Sequence, residues 1–166
     1  MKTKDFIRAG LDASTNLTLA LIDDMKDAPM TQPTSKGGNH PLWVLGHLAY
    51  SEANIVSHII GGDENPLIGW KEMFGGGREP VAEADKYLPW DEVREEFDKV
   101  RARTLNLLEG LSDEDLDKPT KNCPPGREQM MGTVGACFLI LALHPVMHRG
   151  QVADSRRMVD RKPLFA

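Results

Sequence analysis

Four long segments of the sequence repeat apolar residues at the spacing of an α-helix, and none alternates apolar and polar residues as a β-strand does. The predicted helices cover residues 3–27, 40–60, 90–110 and 133–160, with Gly- and Pro-rich stretches between them. Four helices of this length favour packing around a shared core. We therefore predict an all-α protein whose residues 1–166 form one domain, a four-helix bundle with short helices in its loops.

The two longest connections, residues 61–88 and 118–131, are expected to shape any pocket in the bundle. In the first connection, Trp70, Met73 and Phe74 predict a short helical turn beside a run of three glycines. This turn either covers a pocket as a lid or folds back on the core, and the sequence leaves both arrangements open. The side chains of the second connection do not indicate a particular ligand.

Several residues predict where helices begin or bend. Asn39 is the predicted N-cap of the second helix, with Pro41 in its first turn. Ser112, followed by three acidic residues, predicts a short capped helix after the third long one. Pro145 lies inside the last helix, lacks an N–H, and has a ring that meets the Leu141 carbonyl, so we expect a bend there.

Charge and composition exclude several classes of protein. The net charge is −5 at pH 7, whereas a general nucleic-acid binder needs a basic face. The longest strongly apolar run, residues 133–143, is too short to span a membrane, and residues 1–5 lack the pattern of a signal peptide. Cys123 and Cys137 have no CxxC partner, which excludes a zinc ribbon. We expect a cytoplasmic protein with a small-molecule substrate and without nucleic-acid or membrane partners.

Two histidines near the end of the sequence, His144 and His148, lie four residues apart and project from the same side of a helix. Such a pair is half of a metal site and needs a third ligand from another element. On the second helix, a rise of ~1.5 Å per residue keeps His40, His47 and His58 too far apart to share one ion. His47 is the best partner because it lies in the middle of the apolar region. The alternative is that these histidines are core residues held by hydrogen bonds.

Two short motifs resemble the DinB-like family of metal-binding helical bundles. Residues 144–151, HPVMHRGQ, and the Arg-containing segment after them are similar to the family's last helix, and residues 43–48, WVLGHL, resemble its second-helix motif. The resemblance implies an up-down-down-up bundle with a crossover connection, often dimeric, and we expect a homodimer. It also implies that His47, His144 and His148 are the metal ligands.

Three neutral nitrogen ligands suit a divalent ion such as zinc, nickel or iron and leave at least one coordination position open. An open position lowers the pKa of a bound water or thiol, which creates a nucleophile near neutral pH. Some members of the family that this chain resembles are transferases or isomerases that use a low-molecular-weight thiol. The leading hypothesis is therefore a metal-dependent thiol S-transferase or detoxification enzyme. A non-enzymatic metal-binding bundle of the stress response is the alternative, and a metal-free helical scaffold is the third reading.

Two polar residues near the predicted ligands are candidates for catalytic roles. Tyr50 follows His47 by three residues and Gln151 follows His148 by three, so each lies about one helical turn from a ligand. Gln151 is expected to orient a ligand through a hydrogen bond, and Tyr50 to hydrogen-bond into the site. Helix packing explains both residues as well, and no catalytic triad, phosphate-binding loop or carboxylate pair stands out in the sequence.

Overall fold

The computed structural model describes residues 2–35 and 37–164, and this part of the chain is helical, without a β-strand. Four long α-helices form a bundle, and three short ones lie in the connections, which confirms the predicted fold class. In chain order the α-helices are α1 (Thr3–Asp23), α2 (Pro41–Ala53), α3 (Lys71–Phe74), α4 (Trp90–Gly110), α5 (Asp113–Leu116), α6 (Glu128–Met131) and α7 (Val134–Met158). None of these described helices has the length and apolar character that crossing a membrane requires.

The end of α1 shows how three of the long helices are oriented. There, Asp23 pairs with Arg94 near the start of α4, with 3.2 Å between Oδ1 and Nε. The next residue, Asp24, pairs with Arg156 near the end of α7, with 2.9 Å between Oδ2 and Nε. Since the end of α1 meets the start of one helix and the end of the other, α4 runs antiparallel to α1 and α7 runs parallel to it.

The second helix completes the topology. Asn39, just before α2, donates a hydrogen bond to Gln151 in the second half of α7. Ile59, at the far end of the helical segment that begins with α2, packs in one cluster with Val134 at the start of α7. α2 is therefore antiparallel to α7 and parallel to α4. The order is up-down-down-up, as predicted, and the connection from residue 61 to residue 89 must cross the length of the bundle.

The second helix changes its type before it ends. After Ala53 the chain continues as a π-helix, Asn54–Ile60, and the Gly61 amide donates to the Val56 carbonyl five residues back, at 3.2 Å. The prediction of a helix over residues 40–60 was thus right in extent and wrong in type for the last seven residues. π-Turns are wider than α-turns and frequently occur at functional sites. Here the π-helix forms one wall of a cavity.

The structure corrects the predicted end of α1, the predicted N-cap of α2 and one predicted loop, and it confirms the N-cap of α5. The first helix ends at Asp23, and the residues up to 27 form turns. The N-cap of α2 is His40, whose Nδ1 accepts the Trp43 N–H at 3.1 Å, so the prediction of Asn39 was wrong by one residue. The helix α6 forms within the second long connection, which was predicted to be a loop. Ser112 caps α5 as predicted.

The crossover connection folds back on the core. Phe74 at the end of α3 is fully buried, while Trp70 and Met73 pack against the same apolar cluster, to which α2 contributes. The Phe74 ring lies directly against Gly46 in α2, where a Cβ atom would overlap it. Of the two arrangements that the sequence allowed for this turn, the structure has the one in which it packs on the core. Gly46 is what permits the close approach of α3 to α2.

Replacing Gly46 with alanine should therefore destabilise the protein, by about 1–3 kcal/mol, because the added methyl group overpacks a filled core. Urea unfolding would measure the loss. Gly150, on the exposed side of α7, is the matched control because a Cβ there meets no atom within 4 Å. Gly150→Ala should stabilise the helix by about 0.5–1 kcal/mol. Equal effects of the two substitutions would contradict the role assigned to Gly46.

Candidate metal centre

Three histidines converge between α2 and α7. One ring nitrogen from each of His47, His144 and His148 lies within 4.8 Å of the others. The ring centroids are 5.0 Å apart for His47 and His144, 5.1 Å for His47 and His148, and 4.9 Å for His144 and His148. The helix α7 continues through Pro145 without a break, so the one-turn spacing of its two histidines survives the missing N–H. The structure thus brings together the three residues that the sequence singled out.

The orientation of His47 is set by two neighbours. Its Nδ1 lies 2.8 Å from the Phe74 carbonyl oxygen, which can only accept, so Nδ1 carries the proton. Its ring is stacked on Trp43, with the centroids 4.5 Å apart and the planes 9° from parallel. With the proton on Nδ1, the lone pair of His47 is on Nε2. This is the tautomer that a metal ligand needs when Nε2 binds the ion.

The orientation of His148 is set by a short hydrogen-bond chain. Its Nδ1 donates to the Gln151 side-chain oxygen at 2.8 Å, and the Asn39 amide donates to the same oxygen at 3.1 Å. The lone pair of His148 is therefore on Nε2, which lies 3.1 Å from Nε2 of His144. A proton on Nε2 of His144 makes this contact a hydrogen bond, and a cation bound by both nitrogens would take the place of that proton. With the lone pairs of His47 and His148 on Nε2 and a nitrogen of His144 within reach, the donor set fits a metal ion.

Burial keeps all three imidazoles neutral at pH 7. Desolvation lowers the pKa of His47 to about 4, although the hydrogen bond to Phe74 partly offsets this effect. Desolvation, together with the other two histidines, lowers the pKa of His144 to about 3. The pKa of His148 is lowered by burial too, and its hydrogen bond to Gln151 opposes the shift. A neutral imidazole has a free lone pair, which is the form that binds metals.

The remaining two histidines are engaged elsewhere. His40 caps α2 through Nδ1, and its Nε2 donates to the Val81 carbonyl at 3.0 Å. His58, in the π-helix, is exposed, and its Nδ1 lies 3.0 Å from the Asp63 carbonyl oxygen. Each histidine of the second helical segment therefore has a different environment, and only His47 faces α7. This distribution agrees with the selection of His47 from its position in the sequence.

A cavity of about 480 Å³ lies beside the three histidines, and His47 and His144 form part of its wall. The π-helix supplies another part of the wall, and the second long connection with α6 supplies a third. Most of the lining side chains are apolar: Ile55, Ile59, Pro124, Met130, Met131, Ile140 and Met147. The prediction that residues 118–131 help to shape a pocket is confirmed. A small molecule in this cavity would be next to the imidazoles.

The two candidate catalytic residues have different positions. Gln151 contacts His148 directly, as described above, and so holds a predicted ligand in place. Tyr50 lines the cavity, and its backbone carbonyl accepts a hydrogen bond from the Asn65 side chain. The structure places Tyr50 next to any molecule in the cavity, and its catalytic role stays a prediction.

Sequence reasoning missed several contributors to the site. Phe74 orients His47, and Asn39 holds Gln151, the partner of His148; both Phe74 and Asn39 lie far in sequence from the residues they contact. Arg127, which lines the cavity from the turn before α6, was not singled out either. The one available signal was Gly46 beside His47, which marks a close approach of another segment but does not identify it.

A buried ion pair joins α2 to α4 behind the site. Glu52 is 3% exposed, and its carboxylate accepts from Arg101 at 2.8 Å and from Thr104 at 2.6 Å. Burial raises the pKa of Glu52, while Arg101 and Thr104 act in the opposite direction. The sequence did not reveal this pair, because Glu and Arg are usually exposed on helices. The ion pair holds α2, the helix that carries His47, against the parallel helix α4.

The fold and the site together define a class: up-down-down-up helical bundles with three histidines between the second and the last long helix. A family model described as the DinB superfamily matches residues 11–152, and the chain belongs to this superfamily. The matched range includes most of α1 and of α7, and all three histidines of the site. The family that two short motifs predicted is thereby confirmed. A search of curated proteins found no match.

Proposed function

We propose that the protein binds one divalent metal ion through Nε2 of His47, His144 and His148. Three features support this assignment. The hydrogen bonds to Phe74 and Gln151 place the lone pairs of His47 and His148 on Nε2, burial keeps the rings neutral, and the nitrogens are close enough to share an ion. A set of imidazoles without carboxylate or thiolate suits zinc, nickel or iron.

We further propose that the protein is a metal-dependent thiol S-transferase or a related detoxification enzyme. The observation that carries this proposal is the cavity, which reaches His47 and His144 and so gives a small molecule access to the ion. An ion held by three protein ligands supplies Lewis acidity at its open position, where it lowers the pKa of a thiol or a water. The mainly apolar wall limits water around that position, which strengthens electrostatic interactions there.

The residues around the site would orient the ligands and contact the bound molecule. Gln151 and Asn39 hold the His148 ring in one orientation, and Phe74 and Trp43 do the same for His47. Tyr50 offers a hydroxyl group at the cavity wall, which can donate a hydrogen bond to a bound molecule.

Cobalt substitution tests both parts of this proposal. The protein, purified without an affinity tag and loaded with cobalt, should show the absorption of a low-coordinate cobalt site. Adding a low-molecular-weight thiol should produce thiolate-to-cobalt charge-transfer bands, whereas the corresponding alcohol should not. If cobalt binds and no thiol changes the spectrum, the transferase proposal fails, and the non-enzymatic metal-binding bundle takes its place. If cobalt does not bind stoichiometrically, the metal site fails as well.

The protein is proposed to be a homodimer that works in the cytoplasm. An exposed groove between α1 and α7 is lined by residues without charge, including Phe6, Leu17, Leu139, Leu143 and Val146. A second copy would cover this face with an equally apolar one. Cys123 and Cys137 are both free thiols, which suits a reducing compartment. Light scattering would measure the mass, and a monomer at micromolar concentration would refute the dimer.

A further inference from the structure

Arg127 is the one charged residue among the described residues that line the cavity beside the three histidines. The other polar groups there are Tyr50, Ser51 and Asn54, besides the two neutral histidines, and no carboxylate lines the cavity. The methionines and isoleucines provide flexible apolar surface that adapts to a ligand's shape. A molecule that fits this wall is largely apolar and has a group that interacts with a cation.

Arg127 has no ion pair within residues 2–35 and 37–164. The nearest acid in sequence, Glu128, is engaged with the backbone, since its Oε1 accepts the Gly126 N–H at 3.0 Å. The guanidinium, with its planar set of five N–H donors, is therefore available to an external partner.

The segment that carries Arg127 is held in place. The Arg127 N–H donates to the Pro124 carbonyl at 3.0 Å, which closes a turn with Gly126 at a φ of 77°. The Thr120 hydroxyl donates to the Met131 carbonyl at 2.7 Å and joins the two ends of the connection. The backbone position of Arg127 at the cavity wall is thus fixed by hydrogen bonds, whereas its side chain is exposed.

The electrostatics of the cavity favour an anion. Three neutral imidazoles leave the double charge of a bound divalent ion uncompensated, and Arg127 adds a further positive charge. No lining residue supplies the opposite charge, although the net charge of the chain is −5. One guanidinium matches one carboxylate through two parallel N–H···O bonds.

We propose that Arg127 is a specificity residue that binds the carboxylate of the thiol cosubstrate. The cosubstrate class is then a mercapto acid: its sulfur lies at the three histidines, its chain lies along the methionines, and its carboxylate pairs with Arg127. This inference rests on the proposed function, because it takes the thiol site as given. It adds the charge and the approximate shape of the thiol that the site selects.

The test is a binding titration with cobalt-loaded protein, in which the absorption spectrum of the cobalt site reports binding. The ligands are ω-mercapto acids of increasing chain length, and each is compared with its methyl ester, which has the same thiol but no charge. At the chain length that fits, the acid should bind the unmodified protein about tenfold more tightly than its ester, as expected for a charge-assisted hydrogen bond. Arg127→Met should remove this preference, and Arg127→Lys should restore part of it.

Arg103→Met is the matched control, because Arg103 is an exposed arginine of α4 that does not line the cavity. Arg103→Met should leave the preference for the acid over the ester unchanged. Thermal unfolding monitored by circular dichroism should show that all variants are folded. If acid and ester bind the unmodified protein equally at every chain length, or if Arg127→Met keeps the preference, the inference is overturned while the thiol site stands. If neither acid nor ester changes the cobalt spectrum, the proposed function itself fails.

Discussion

Replacing His148 with alanine should abolish stoichiometric metal binding by this protein. The imidazole of His148 supplies one of three converging nitrogens, and the two that remain, on His47 and His144, belong to different helices. Loss of a hydrogen-bond partner of a ligand typically lowers metal affinity by about 10–100-fold, and loss of the ligand should lower it by more than about 100-fold. Metal analysis of tag-free protein and competition with a chromophoric chelator would measure the change.

The matched control is His58→Ala, because His58 is an exposed histidine of the π-helix that contacts Asp63 and not the site. It should leave the metal content at about one ion per chain. The unmodified protein should also gain about 2.7 kcal/mol of stability when the free ion is present at about 100 times its dissociation constant. The His148 variant should gain almost none of it. Full metal content in the His148 variant, or equal losses in both variants, would contradict the three-histidine site.

Replacing Arg101 with alanine should be the most destabilising substitution proposed for this protein, at about 3–5 kcal/mol. The change leaves the Glu52 carboxylate buried between α2 and α4 without its cation, and only the Thr104 hydroxyl still donates to it. Because Glu52 follows His47 on the same helix, the loss should also loosen the metal centre. Urea unfolding monitored by circular dichroism would measure the stability.

Two comparisons separate the buried charge from simple loss of packing. Arg103→Ala, on the exposed side of α4, should change stability by less than about 0.5 kcal/mol. Combining Glu52→Gln with Arg101→Met should recover much of the lost stability, because it removes both charges and keeps the volume filled. If the double variant is as unstable as Arg101→Ala, the cost does not arise from the unpaired carboxylate.

The deficit of the Arg101 variant should depend on pH. Burial raises the pKa of Glu52, and removal of Arg101 takes away a charge that lowers it. A carboxyl group whose pKa is higher in the folded state than in the unfolded state binds more protons when the protein is folded. The free energy of unfolding therefore falls as the pH rises from the pKa of the unfolded state through that of the folded state. The variant should therefore lose less stability near pH 5 than near pH 8. An equal deficit at both values would argue against an ionised Glu52.

Much of the framework followed from local patterns in the sequence. Helical periodicity predicted the four long helices, and the bounds of α4 agree with the predicted 90–110, its start being marked by Pro89. The His-x3-His spacing predicted two nitrogens on one face of α7. The rise per residue keeps His40, His47 and His58 of the predicted second helix apart, so only one of them can join the pair. The apolar setting of His47 favoured that residue as the third ligand. Each of these inferences depends on contacts within one helix or on the average environment of a residue.

The tertiary structure alone decided how the site works, because its remaining parts depend on contacts between distant segments. The Phe74 carbonyl reaches His47 only because the crossover packs on Gly46. Asn39 reaches Gln151 from the loop before α2, which is again a contact between segments that are distant in sequence. The cavity, its π-helical wall and the place of Arg127 in it likewise result from long-range packing, which leaves no periodic signal in the sequence. The sequence determined which histidines could meet, and the tertiary structure decided the tautomers of His47 and His148 and what lies next to the three rings.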